Sequence, residues 1–237
     1  MPDSAAPAND ARSPDSMIGF QPRSTAKPVL FIDFDNTITQ GDLLDAILER
    51  FSMNDAWLEW EAAWKDGQIS THECLQRQIG NLKASSAEIL AFAATVPIDP
   101  YFVPLVHKAA GAGLELIVVS DSFTALIDAV LQRNAVPELR VYANEVTFLE
   151  DRVEAVFPYL DPSCPRCAHC KAQHFRALRN CETVFIGDGL SDICAAEVAD
   201  TVFAKDALAR HLSLAGKAYR TFDTLRPVLD FLERKGY

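Results

Sequence analysis

The sequence predicts an α/β fold: a mostly parallel sheet interleaved with helices, carrying an all-helical insertion after its first strand. Three observations predict it. Short runs of β-prone apolar residues end in carboxylates or hydroxyls, amphipathic stretches of helical period separate them, and residues 43–96 show helical periodicity with no strand pattern. The 237 residues suffice for one core with an insertion.

Taken in order, residues 1–26 are rich in Ala, Pro, Ser and Asp and have no apolar period, so a disordered tail is expected, with Met17 an alternative start. The chain has no signal-peptide core and no membrane-spanning run. A soluble cytoplasmic protein without a membrane partner is the expectation. Val29-Leu30-Phe31-Ile32 reads as a first strand, buried on both faces, that delivers Asp33-Phe34-Asp35-Asn36-Thr37 to its C-terminal end. Helical faces follow: Leu44, Ile47, Leu48 and Phe51, then Trp57, Trp60 and Trp64, then Leu75, Ile79 and Leu82.

Residues 27–42 and 97–237 are expected to build the core. A helix around Phe102, Leu105, Val106 and Ala109 stops at Gly111 and Gly113, and the strand Leu114–Val119 ends at Ser120. A second helix has Phe123, Leu126, Ile127, Val130 and Leu131 on one face. Glu145 to Phe157 reads as a hairpin turning at Glu150-Asp151. Thr183–Gly187 is a strand running into Asp188-Gly189-Leu190-Ser191-Asp192, Val202 lies in a fifth short strand, and Leu225–Leu232 form a last helix opened near Pro227.

Carboxylates at the end of a buried strand are costly without work to do. Asp33 and Asp35 can face Asp188 and Asp192 across a small gap and share a hard divalent cation, for which Mg²⁺ suits the oxygen ligands, while Gly187 and Gly189 permit the tight turn. The Ser120 hydroxyl can donate to a phosphoryl oxygen, and Lys171 is the counter-charge. A net charge of −11 with no basic stripe argues against a nucleic-acid partner. A small phosphomonoester is the expected ligand.

These motifs in this order, Asp33-Phe34-Asp35-Asn36-Thr37, Ser120, Lys171 and Gly187-Asp188-Gly189-Leu190-Ser191-Asp192, resemble the haloacid dehalogenase superfamily of aspartate-nucleophile phosphohydrolases. The resemblance implies a Rossmann-like sheet core with residues 43–96 as a helical cap, as in the phosphoserine phosphatase-like branch. It implies Asp33 as the nucleophile that becomes an aspartyl-phosphate, and Asp35 as acid and then base. Mg²⁺ would be held by the Asp33 carboxylate, the Asp35 carbonyl and Asp188, with Asp192 orienting a ligand water. Ser120, Lys171 and the loop N–H groups of Phe34, Asn36 and Thr37 would bind phosphate. Asn36 stands where glycine is commonest, and Asn tolerates the unusual backbone angles of a tight loop.

Cys164-Pro165-Arg166-Cys167-Ala168-His169-Cys170-Lys171 has metal-like spacing. Zn²⁺ on Cys164, Cys167, Cys170 and one of His169 or His174 is one reading, and a reduced cysteine-rich loop is the other; Cys74, Cys181 and Cys194 read as ordinary buried cysteines. The same loop resembles two phosphatase groups. One acts on 2-hydroxy-3-keto-5-methylthiopentenyl-1-phosphate in methionine salvage, the reading preferred here. The other acts on phosphocholine or phosphoethanolamine, and its second motif resembles Ser120-Asp121. For that alternative, Asp121, Trp57, Trp60 and Trp64 are specificity candidates that can receive a cationic tail; core packing is the other role open to the tryptophans. Phosphoserine is disfavoured because the expected cap arginine, here Arg77, is displaced by one position, about 100° around a helix. A non-catalytic phospho-ligand module is the reading of a different class, and the intact Asp33 and Asp35 oppose it.

Overall fold

Every residue of β1 (Val29–Ile32) is buried, Leu30 and Ile32 in one apolar cluster and Val29 and Phe31 in another. Burial of alternate residues on both faces is what a parallel strand covered by helices requires. The structure, a computed structural model, describes residues 27–150, 152–176, 178 and 181–237. The tail expected over 1–26 and Asp151 of the expected turn lie outside the described residues.

Four helices follow β1: α1 (Leu43–Phe51), α2 (Ala56–Lys65), α3 (Thr71–Gly80) and α4 (Ser86–Ala93). Side chains fix three of their starts. Asp42 accepts from Asp45 N–H, Ser70 accepts from Glu73 N–H, and Ser85 with Glu88 closes a capping box. The chain then runs through α5 (Phe102–Gly111), β2 (Glu115–Phe123), α6 (Thr124–Arg133), β3 (Arg140–Phe148), β4 (Val153–Val156), α7 (Ala172–Arg176), β5 (Thr183–Gly187), α8 (Ile193–Val198), β6 (Thr201–Ala204), α9 (Asp206–Leu214), β7 (Arg220–Thr221) and α10 (Arg226–Arg234). No helix among the described residues is long and apolar enough to cross a membrane.

The sheet order is β4-β3-β2-β1-β5-β6-β7, parallel except for β4, which pairs antiparallel with β3. β1 is therefore flanked by β2 and β5, and the three strands that lead to Asp33, Ser120 and Asp188 are adjacent. Their C-terminal ends form one edge, where ligands of open α/β sheets bind.

The segments leading into and out of the four-helix stretch run side by side. Thr39 bridges Ile98, Gln40 N–H donates to Pro97 O (2.8 Å), and Asp99 N–H donates to Ile38 O (2.7 Å). Leu44, Ile47, Leu48, Leu75, Ile79, Leu82 and Ile89 belong to the same apolar cluster as Leu30 and Ile32, so the core is continuous through that junction.

Several element boundaries differ from expectation. β2 does not stop at Ser120 but continues to Phe123, so Phe123 ends a strand and α6 begins at Thr124. The hairpin forms, from Glu145 opposite Val156 to Phe148 opposite Val153. It contributes a strand that makes the Val202 strand the sixth in the chain rather than the fifth.

Candidate active site

Asp33 follows β1, and its N–H donates to Ile186 O of β5 (2.9 Å), which holds the carboxylate at the junction of the two strands. The next turn folds back sharply. Asn36 has φ +55°, and Ile38 and Thr39 N–H groups both donate to Phe34 O (2.8 and 3.0 Å). Asn is the side chain that takes the left-handed region most readily after glycine, so this departure from the commonest residue is structurally neutral.

β2 reaches the site through an irregularity. Val119 is opposite Tyr142 and Phe123 opposite Asn144, so Ser120, Asp121 and Ser122 bulge out of the ladder. Ser120 Oγ accepts from Ser122 N–H (3.0 Å), and Asn144 Nδ2 donates to Asp121 O (2.7 Å), which pins the bulge to β3. From β5, Gly187 leads into Asp188, and Asp192 folds back so that its Oδ2 accepts from Asp188 N–H (2.9 Å) and Gly189 N–H (3.0 Å).

Lys171 ties two of these strand ends together. Its Nζ, fully buried, lies 2.5 Å from Asp33 Oδ1 and 2.6 Å from Asp192 Oδ1. Thr37 Oγ1 donates to Asp188 Oδ1 (2.9 Å), and Asp35 Oδ1 accepts from Leu43 N–H (2.9 Å) at the start of α1. Asp33, Asp188 and Asp192 each offer an oxygen within 4.8 Å of the others. Both Asp192 oxygens are already engaged, one by Lys171 and one by backbone, so Asp192 fits a positioning role and Asp33 and Asp188 fit direct ligands. Hard oxygen donors of this kind suit Mg²⁺.

Burial dominates the electrostatics. It raises Asp33 well above the usual carboxylate range, the charge of Asp192 adds to that, and Lys171 opposes it. Burial and then Asp42 raise Asp35, and burial and then Asp192 push Asp188 up to about 7. Burial works against the charged form of Lys171, but Asp192 and Asp33 more than offset it and hold the ammonium well above its ordinary value. The cluster is short of positive charge by itself, which is the condition a divalent cation relieves.

A cavity of about 290 Å³ opens above these groups. Asp33, Asp35, Ser120 and Asp188 line its floor, and Leu44, Trp64, Thr71, Cys74, Leu75 and Gln78 come from the helices above. Asp42, Asp45 and Glu61 also line it, with Lys65 3.1 Å from Glu61. Burial and then Asp42 push Asp45 up to about 7. In sequence these acids read only as a helix cap and helix faces; nothing local says that they turn toward Asp35. Ser122, whose buried Oγ has no partner among the described residues, is another cavity residue without a sequence signal.

The specificity candidates separate. Trp64 lines the cavity and donates from Nε1 to Thr71 Oγ1 (2.9 Å); Trp57 packs on the core and borders a different surface depression with Asn36, and Trp60 borders neither. The shared helical face therefore does not become a shared wall. Asp121 lines the cavity, but its Oδ1 accepts from His169 N–H (2.8 Å), tethering the loop that carries Lys171. Burial pushes its carboxyl up to about 6. Arg77 points outward to Glu73 (2.5 Å), while its neighbour Gln78 is buried and bonds Glu61 (3.1 Å).

The cysteine reading needs a correction. Cys164, Cys167 and Cys170 gather with Cys194, not with His169 or His174. His169 Nδ1 donates to Ser120 O (2.9 Å), and its Nε2 meets His174 Nε2 (2.6 Å), so the imidazoles are spent on each other and on β2. Tyr159 stacks on His169 and Tyr142 on His174, and burial lowers the two histidines to about 3 and about 4. Cys194, half-buried at the start of α8, is thus not an isolated core thiol. Spacing reveals a local trio but not a fourth member from another segment.

The Putative Phosphatase family pattern matches residues 28–211. The 2-hydroxy-3-keto-5-methylthiopentenyl-1-phosphate phosphatase of Geobacillus kaustophilus is 31% identical, over 89% of this chain and 97% of that protein. The bifunctional enzyme MtnB/MtnX of Bacillus licheniformis is 32% identical over 87% of this chain, which spans only 49% of that longer protein. Among solved structures, a substrate-bound phosphoserine phosphatase complex superposes with TM-score 0.67 at 16% identity, covering 88% of this chain and 99% of the other. At that identity the likeness establishes the fold alone. With a family pattern and sequence identity that span most of the chain, the chain belongs to the Putative Phosphatase family and is a phosphoric monoester hydrolase of the MtnX type, folded like phosphoserine phosphatase.

Proposed function

We propose that this phosphatase is Mg²⁺-dependent and hydrolyses a small phosphorylated metabolite through an aspartyl-phosphate on Asp33, with 2-hydroxy-3-keto-5-methylthiopentenyl-1-phosphate the preferred substrate. The observation that carries the chemistry is Asp33 and Asp192 sharing buried Lys171 beside Asp188. Bound to Asp33 and Asp188, Mg²⁺ would neutralise phosphoryl charge. Asp33 attacks phosphorus, the ester P–O bond breaks, and Asp35 gives its proton to the leaving alkoxide. Water then attacks the acyl phosphate, Asp35 takes the water proton, and free phosphate and the Asp33 carboxylate are restored. The raised pKa of Asp35, set first by burial, supports its start as an acid. Ser120, Lys171 and the Phe34–Thr37 loop hold the phosphoryl oxygens.

The named relatives support the substrate, as do Leu44, Leu75 and Trp64, which offer an uncharged tail an apolar wall. Arg77, turned outward to Glu73, is not available to a phosphoserine carboxylate. Helices α1–α4, within residues 43–96, act as the cap, and residues 27–42 with 97–237 act as the core. Six free cysteines support a cytoplasmic setting. A second reading, phosphocholine or phosphoethanolamine, is favoured by one observation: Asp42, Asp45 and Glu61 line the same cavity.

Phosphate release with Mg²⁺ from the methylthiopentenyl phosphate, phosphocholine, phosphoethanolamine and phosphoserine decides among these. The expected order puts the first ahead in kcat/KM by about tenfold or more. Preference for an amine-bearing ester selects the second reading, and no release from any of them overturns the mechanism.

A further inference from the structure

Three features lie beside the hydrolytic site: the cysteine loop, the edge-to-face His169–His174 pair, and the surface depression at Trp57. The histidine pair spends its nitrogens internally, and nothing shows what covers the depression. The cysteine loop carries an inference.

Four sulfurs from two separate segments converge. The Sγ atoms of Cys164, Cys167, Cys170 and Cys194 all lie within 4.8 Å of one another, and Cys167 and Cys194 are 3.9 Å apart. A tetrahedron of thiolates around zinc, with Zn–S near 2.3 Å, has edges of about 3.8 Å. A disulfide would bring two sulfurs to about 2 Å, and all six cysteines are free. A positive group flanks the cluster. Arg166 Nη2 lies 3.7 Å from Cys194 Sγ, beside a site whose four thiolates and dication would sum to two negative charges.

We propose that Cys164, Cys167, Cys170 and Cys194 bind one structural zinc ion that fixes the Lys171 loop to the Asp188–Asp192 turn. Cys170 immediately precedes Lys171, and Cys194 lies two residues after Asp192, so the ion fastens together the segments joined by the 2.6 Å Lys171–Asp192 pair. The loop reaches a third element, because Thr71 N–H at the start of α3 donates to Arg166 O (2.9 Å). Zinc thereby sets the position of Lys171 and gives the helices above the cavity a fixed docking point. It takes no part in the hydrolysis.

The test uses the full chain purified without chelator and with a thiol reductant. Elemental analysis should find about one zinc per chain in the wild type, in Cys74→Ser and in His174→Asn, and less than about a tenth in Cys194→Ser. Since Cys194→Ser risks misfolding, Co²⁺ alone is added to metal-free wild type and to Cys194→His. The wild type should show the thiolate-to-cobalt charge-transfer band and strong visible bands of a tetrahedral site, and Cys194→His about three quarters of the charge-transfer intensity. A zinc-selective chelator in excess Mg²⁺ should lower the wild-type melting temperature and leave Cys194→Ser unmoved. Wild type that takes up less than about a tenth of an equivalent after zinc is added back overturns the proposal. So does zinc that survives Cys194→Ser but is lost in His174→Asn, or a Cys167–Cys194 disulfide in the freshly isolated protein. None of these readouts depends on the substrate or on phosphatase activity.

Discussion

Lys171 has three protons to give and two carboxylates waiting for them. Removing one carboxylate leaves the ammonium paired with the other, and this asymmetry separates catalysis from stability. Asp33→Asn should lower Mg²⁺-dependent hydrolysis of p-nitrophenyl phosphate by about three orders of magnitude or more, because an amide is not a nucleophile. The fold should persist with an unchanged or higher melting temperature, since Asp192 still holds Lys171 and one of the crowded carboxylates is gone. Near-normal turnover in the pure variant would remove Asp33 from its role. At this scale much was legible from sequence. Asp33, Ser120, Lys171, Asp188 and Asp192 do converge, since apolar strands that stop at polar residues announce where those residues are delivered. Asp42, Asp45, Glu61 and Cys194 were not legible, because each looks ordinary in its own segment and gains meaning from a neighbour distant in sequence.

Among elements, the end of β5 packs tightly against the turn that follows it. A Cβ on Gly187 would press into the Asp192 carboxylate, with Asp192 Cγ at 2.8 Å and Oδ2 nearer still. Gly187→Ala should therefore push Asp192 off Lys171 and off the Asp188 and Gly189 amides, costing about 1–3 kcal/mol and lowering kcat at least about tenfold. Urea melts and steady-state kinetics check this; an alanine variant with wild-type kcat and stability refutes the proposed tightness. The bulge at Ser120–Ser122 shows what sequence left out of the elements. A strand can be read from the apolar run Leu114–Val119, but its extra residues emerge only against β3, which steps from Tyr142 to Asn144 while β2 steps from Val119 to Phe123. Phe123 was assigned to a helical face for the same reason: its apolar side chain fits either period until the ladder claims it.

For the whole molecule, acidity gathers at one edge of the sheet, and pH should expose it. An acid whose folded pKa is raised gives stability that is complete below its unfolded value near 4 and is lost as pH rises through its folded value, about 7 for Asp45. In chelator-treated protein, Asp45→Asn should therefore gain on the wild type between about pH 4 and pH 7 and hold a constant lead above that. Allowing for solvent screening of a partly exposed group, the lead is about 1–2 kcal/mol. Urea melts across that range measure it, and a lead that shrinks with rising pH contradicts the assignment. The parallel architecture was legible because β1 and β5 are apolar on both faces. The shared core beneath the helices was not, since amphipathic faces show that a helix packs without saying against what.

The central place of β1 also sets a timetable. The Asp33 strand leaves the ribosome ahead of the strands that flank it, yet Lys171 lies 138 residues later and the partner strand β5 later still. At ordinary elongation rates that interval lasts roughly 7–28 s. Throughout it the nascent chain holds a future nucleophile with no ammonium beside it and half of its sheet unpaired. The enzyme thus cannot begin work piecemeal: long-range parallel pairing makes activity one of the last properties the growing polypeptide acquires.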